Sequence, residues 1–199
     1  FGFFCFIMGS AFSQLAPSDW SHSPFSDLGI AENSGRYDTI MSDPLLYYSN
    51  YGPYSFYFTS NGVIIGQKEK LTPEEAWERH EKQENNQQVR AIPSNYFKLK
   101  WLNANVGIEI SALDKNEHTL NFQDPKNLEK TLKSQTFKKL IYHNIYDGID
   151  LEFIMPEEGG LKYSFILHSE SNASDILMDF DEAEVRIGEA GELEIASKI

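Results

Sequence analysis

Cysteine is almost absent. Cys5 is the only one in 199 residues, and it lies in an uncharged stretch, Phe1 to Phe12. Beyond that stretch there is no thiol for a disulfide framework, a thiolate metal site or a cysteine nucleophile. Basic residues are also scarce: 17 Lys and Arg stand against 30 Asp and Glu, a formal net charge of -13. Nucleic-acid backbones and anionic membrane surfaces both select a basic footprint, so neither is expected as the partner. No apolar run approaches the roughly 20 residues of a membrane-crossing helix. The chain has no G-x-S-x-G elbow, P-loop, G-x-G-x-x-G or H-E-x-x-H motif, so no local pattern points to a hydrolase nucleophile, a nucleotide or a zinc protease. No repeat of fixed period is present, which argues against a solenoid or a propeller within this segment.

What is there begins with an export signal. Ala11-Phe12-Ser13 puts small residues where a signal peptidase reads, and Gln14 follows. Residues 1–13 are therefore read as the remnant of a secretory signal peptide, with a mature N-terminus at Gln14. Phe3 and Phe4 precede Cys5, where a lipoprotein signal has small residues. The mature protein is expected to be secreted or displayed at the cell surface, with no membrane insertion after signal removal. Residues 14–29, rich in Ser and Pro, read as an N-terminal arm or linker. Residues 30–199 read as one β-rich domain that continues past Ile199.

The 41% hydrophobic and 14% aromatic content suits a folded, strand-rich domain. Strand patterns cover Leu45 to Tyr48, Tyr54 to Thr59 and Val63 to Ile65, with Asn61-Gly62 predicting a type I′ hairpin turn. Thr72-Pro73-Glu74-Glu75 carries a cap, a first-turn proline and early acids, which predict one surface α-helix over about 73–85. Period-two alternation then marks Tyr96 to Leu102, Val106 to Ile110, Phe137 to Ile145, Ile149 to Ile154 and Leu161 to Leu167. Three shorter strands follow, with Glu189-Ala190-Gly191 as a turn. The fold class expected is mainly β: an antiparallel, sandwich-like domain.

Several side-chain groups invite a chemical reading. Asp147, Asp150 and Glu152 offer hard oxygen ligands around a turn and are the candidate Ca²⁺ site; a tight turn with solvated acids is the competing reading. Asp150 and Glu152 are also the pair that a glycan-processing hydrolase would use, although carboxylates two apart on a strand stand about 7 Å from each other. Asp179, Asp181, Glu182 and Glu184 read as a charged strand edge. Tyr48, Tyr51, Tyr54 and Tyr57 offer rings that stack on sugars if exposed; alternation places Phe56 and Phe58 on one face and Tyr57 on the other. His80 and Glu84 read as a surface ion pair. Asn172-Ala173-Ser174 is an N-glycosylation sequon. No other cofactor is expected.

The second half also carries a family pattern. Tyr146-Asp147-Gly148-Ile149-Asp150-Leu151 matches "Y-x-G-I-D-L", Leu161-Lys162-Tyr163-Ser164-Phe165 matches "L-x-Y-x-F", and Ala173 to Ile176 with Gly191-Glu192-Leu193 follow in order. Glu32-Asn33-Ser34-Gly35-Arg36 is similar to an "E-N-x-G-Q" start. Together they resemble the N-terminal β-rich domain of large secreted Bacteroidota surface proteins. Such proteins carry β-propeller-like repeats, immunoglobulin-like modules or gliding-motality and type IX secretion sorting domains further on. The family pattern has Pro-Gly where this chain has Ser169 to Asn172, and the helix has no counterpart in it. The resemblance implies architecture and location, not a catalytic residue. The function expected is a non-enzymatic structural or adhesive module whose partners are the downstream domains of its own polypeptide; the alternatives are a module that binds surface glycans through the Tyr-rich hairpin, or a glycan-processing hydrolase. In that setting Asp38-Thr39-Ile40 matches an O-glycosylation acceptor, with Thr39 as the modified residue.

Overall fold

The computed structural model describes residues 29–37, 39–40, 43–67, 95–124, 127–156 and 160–198. The helix expected over 73–85, the signal segment 1–13, most of the arm 14–29 and the His80–Glu84 pair lie outside the described residues. Fourteen strands are described: β1 Ile30–Glu32, β2 Thr39–Ile40, β3 Asp43–Pro44, β4 Tyr47–Tyr51, β5 Tyr54–Phe58, β6 Gly62–Gln67, β7 Asn95–Trp101, β8 Ile110–Asp124, β9 Asn127–Tyr146, β10 Ile149–Ile154, β11 Lys162–Leu167, β12 Met178–Asp181, β13 Ala183–Ile187 and β14 Leu193–Ser197. The protein is mainly β, and every strand pairing is antiparallel.

Ten strands form one sheet in the order β11-β10-β9-β1-β4-β5-β6-β7-β12, with β8 added on β9. β10 and β1 take successive stretches of the same edge of β9, opposite β8, so in a flat sheet β7 would lie four strands to one side of them, roughly 19 Å away at about 4.8 Å per strand. Yet the ring of Phe153 on β10 lies 6.1 Å from Trp101 on β7 and 5.3 Å from Phe58 on β5. The sheet therefore curls until its two flanks face each other across a shared core. Phe58, Trp101, Tyr142, Leu151 and Phe153 fill that core, none more than 6% exposed. The Tyr146 hydroxyl fastens the curl: it donates to Leu177 O at 2.6 Å and accepts from Leu177 N at 3.3 Å. That contact ties the end of β9 to the approach of β12.

The convex face has a second, smaller core of Ala31, Leu45, Tyr48, Tyr57 and Ile64. Alternation explains the division. Tyr48 is opposite Tyr57 and points to this face, whereas Tyr47–Phe58 and Ser49–Phe56 point to the other. The distal β8–β9 arm helps to cover it, with Leu120 packed against the cluster. A register shift between Lys115 and Thr119 gives β8 two extra residues against β9, the kind of bulge that bends a strand. Arg36 sits among Tyr37, Tyr48 and Phe122, its guanidinium 5.5, 5.6 and 5.3 Å from the three ring centres. Phe122 belongs to the arm, so this cation joins arm and sheet.

Two local expectations need correction. The β5–β6 hairpin forms, but not through a type I′ turn at Asn61-Gly62. The link is Thr59 to Asn61, closed by Thr59 N to Gly62 O at 2.9 Å, and Gly62 is already in β6 without a positive φ. Its glycine serves close approach: a Cβ there would stand 2.2 Å from Leu99 O on β7. Of the strand expected over Val106 to Ile110, only Ile110 is in a strand, as the first residue of β8. Residues 102–109 are a loop with Asn103 and Gly107 at positive φ, and Val106 is 98% exposed. Its backbone is anchored by Asn105 N to Ile145 O at 2.9 Å.

Candidate functional site

The β10–β11 hairpin pairs Leu151 with Phe165 and Phe153 with Tyr163. Ile149, Leu151 and Phe153 are buried on its inner side, so Asp150 and Glu152 must project from the outer side. They do, but into separate partnerships. Glu152 Oε2 meets Lys139 Nζ of β9 at 2.9 Å, which raises the lysine above its ordinary value. Asp150 Oδ1 accepts from Asn144 N at 2.7 Å. Asp147 Oδ1 accepts from Asn105 Nδ2 at 3.1 Å. The proposed Ca²⁺ ligands thus each answer to a different protein donor. Among the described residues, no three His, Cys, Asp or Glu side chains are posed to enclose a metal ion.

What surrounds Asp150 is a row of polar side chains across four adjacent strands. Ser111 on β8 is 2.8 Å through Oγ from His143 Nε2 on β9. His143 Nδ1 is 3.9 Å from Asp150 Oδ2 on β10. His168, immediately after β11, brings Nε2 within 3.0 Å of the same oxygen. Partial burial of Asp150 pushes its carboxyl up, but the Asn144 amide and the two imidazoles outweigh this and hold it below the ordinary 3.8. The row resembles a Ser-His-Asp triad in composition. The His143–Asp150 separation lies beyond hydrogen-bond range, so nothing orients the imidazole as a general base for Ser111.

The turn beneath the row is built for position. Gly148 has φ +70, and its amide donates to Asn144 Oδ1 at 2.9 Å. His168 N donates to Gly148 O at 2.9 Å, and Ser171 Oγ donates to His168 O at 2.7 Å. Sequence alternation marks the acids here. It does not mark their imidazole neighbours, because 18 residues separate Asp150 from His168 and only strand register joins them.

The tyrosines do not form one platform. Tyr48 and Tyr57 are 1% and 4% exposed in the convex-face core. Tyr51 and Tyr54 pair across the β4–β5 hairpin, half-buried against the concave-face core. The four therefore divide between opposite faces. The acidic run at the edge is paired as a charged strand: Asp181 Oδ2 is 2.6 Å from Lys100 Nζ and 3.8 Å from Lys98 Nζ, and Glu184 meets Arg186 at 3.1 Å. Thr39 lies in β2, opposite Pro44. Asn172 is exposed and caps a 3₁₀ turn, its Oδ1 accepting from Ser174 N at 3.1 Å. Among the described residues no helix is long and apolar enough to cross a membrane.

Comparison with curated proteins and with solved structures returned no match. A family model described as "Domain of unknown function (DUF7948)" matches residues 31–199. That span takes in the curled sheet, both cores and the polar row, and the chain belongs to the DUF7948 family.

Proposed function

We propose that this chain is a non-enzymatic, β-sandwich-like structural or adhesive module at the N-terminal end of a secreted or cell-surface bacterial protein, of the type found in Bacteroidota. Its immediate partners are further domains of the same polypeptide. The observation that carries the reading is how its carboxylates are used. Glu152 and Asp181 each close a cross-strand pair with a lysine, at 2.9 and 2.6 Å, and Asp150 and Asp147 bind the turn and loop around them. These acids spend their oxygens on holding strands and loops in register, which is a structural use.

Export supports the same reading from the sequence side, through Ala11 to Ser13 and the acidic, thiol-free remainder of the chain. Mass spectrometry of the exported protein is expected to find Gln14 at the N-terminus and a glycan on the peptide containing Thr39. Recovery of Phe1 to Ser13 in the mature form overturns the signal reading. A glycan-binding alternative now rests on Tyr51 and Tyr54, the half-buried pair at the β4–β5 hairpin. The deciding experiment screens the folded protein and its Asp150→Asn and Glu152→Gln variants for glycan binding and glycan hydrolysis. The structural reading expects all three to fold and none to hydrolyse. Hydrolysis by the parent that either acid variant loses establishes an enzyme instead.

A further inference from the structure

We propose that the outer edge of β11 is a self-association surface that pairs antiparallel with β11 of a second copy of the chain. β11 ends the ten-stranded sheet, and among the described residues it pairs with β10 alone. His168 N donates to Gly148 O, and in an antiparallel ladder the residues that exchange bonds alternate with those that do not. Lys162, Ser164 and Ile166 therefore turn their backbone groups toward β10, while Tyr163, Phe165 and Leu167 turn theirs to the open edge. Such an edge recruits another strand unless something blunts it. Two other outer strands are blunted. β12 is four residues long and carries Asp179 and Asp181 between its apolar residues. β8 has its register shift after Lys115 and the charges of Asp114, Lys115 and Glu117. β11 has no proline, no acid and no register shift against β10, and its only charge is Lys162 at the first position.

The side chains of β11 fit a second copy of the same strand. Its inner face loses cover along its length: Tyr163 is buried, Phe165 half-buried and Leu167 42% exposed. A two-fold axis at Phe165 sets that ring beside its own copy and Tyr163 beside Leu167, with the outward backbone groups of all three residues paired. Apolar side chains then cover one another on the inner face. On the outer face the same register sets Lys162 beside His168 of the second copy, whose imidazole lies 3.0 Å from the Asp150 carboxylate. Each copy thereby brings the cation of its strand toward an anion of the other. The formal net charge of -13 makes two copies repel over most of their surfaces, which favours contact through a strand that has no acid.

The test is sedimentation equilibrium of the full chain from about 10 µM to about 1 mM, the range in which small interfaces associate. A monomer–dimer equilibrium is expected. Leu167→Pro removes an N–H that β10 does not use, and Leu167→Lys puts a second cation on the edge. Each should weaken the dimer roughly tenfold or more, while circular dichroism reports a folded protein. Lys162→Glu should weaken it to a similar degree, because it turns a like charge toward Asp150 of the second copy. Asp179→Asn, on the edge of β12, should leave it unchanged. A chain that stays monomeric over the whole range overturns the proposal and leaves the edge to a strand of another polypeptide. A dimer that survives both Leu167→Pro and Leu167→Lys is held by another surface and overturns it as well.

Discussion

At the scale of single residues, Phe153 carries more of this fold than its place near one flank of the sheet suggests. It is 1% exposed and its ring meets Phe58, Trp101, Tyr142 and Tyr163. Those four belong to β5, β7, β9 and β11, so one side chain touches both flanks of the curl. Phe153→Ala is expected to cost about 3–5 kcal/mol, the range for removing a buried aromatic. Phe165, its alternation neighbour on β11, is only half-buried, and Phe165→Ala should cost at least about 1 kcal/mol less because less apolar area is lost. Glu152→Gln loses a largely solvent-screened pair and should cost about 1 kcal/mol or less. Urea unfolding of the three variants ranks them, and a larger loss at Phe165 than at Phe153 contradicts the core described above.

At the scale of elements, the arm is the part whose attachment is most local. Among the described residues, 119–124 and 127–135 find their strand partners within the β8–β9 hairpin, and Arg36 reaches across to Phe122. Arg36→Ala should therefore cost about 1–2 kcal/mol, the scale of partly desolvated cation–ring contacts, and should speed proteolysis within the arm ahead of the body. Equal rates in arm and body would show that Arg36 does not hold the arm. This arm is also where the sequence was least legible. The alternation of Ile149, Leu151 and Phe153 marks its strand because one face is buried along its whole length. Among the described residues of the distal arm, the apolar side chains of Leu120, Phe122 and Leu132 are only half-buried, so its period-two signal is weak. The Asn61-Gly62 pair marks a hairpin but not its turn, because Gly62 answers to the backbone of β7 rather than to its own φ. Tyr48 and Tyr57 have sequence positions as suited to stacking as Tyr51 and Tyr54. Only the second core, formed with Ala31, Leu45 and Ile64 and flanked by Leu120 of the arm, decides that they are inside. The polar row of Ser111, His143, Asp150 and His168 has no linear signature at all, since β-register alone assembles it.

For the whole molecule, stability should fall on both sides of neutrality. Burial raises the phenols of Tyr142 and Tyr163, and that of Tyr57 to about 12. A raised phenol binds its proton more tightly in the folded chain, so this contribution is complete below the ordinary value of 10 and disappears as pH climbs from 10 toward 12. Asp181, beside Lys100, and Asp150, held by the Asn144 amide and His168 against the opposing effect of burial, are lowered. Their contribution is complete above 3.8 and disappears as pH falls through their folded values. Denaturation midpoints measured from pH 3 to 11 should give a plateau with losses beginning near pH 4 and pH 10, and Tyr57→Phe should soften the alkaline loss. A midpoint independent of pH above 10 would contradict the burial of these phenols.

The place of β1 has a consequence for the order in which the molecule assembles. It is the first described strand of the chain, yet it lies inside the sheet, between β4 and β9. Its partner on one side, Tyr48, comes soon; its partner on the other, Phe137, comes more than a hundred residues later. A chain made or delivered from its N-terminus has β1 waiting with one edge open until β9 arrives. The β4–β5–β6–β7 meander, by contrast, closes from neighbour to neighbour apart from its one long connection. The arrival of β9 brings partners for β1, β8 and β10 together. Closure of the concave core is then a late event that waits on one twenty-residue strand, and so distant a pairing makes for slow folding.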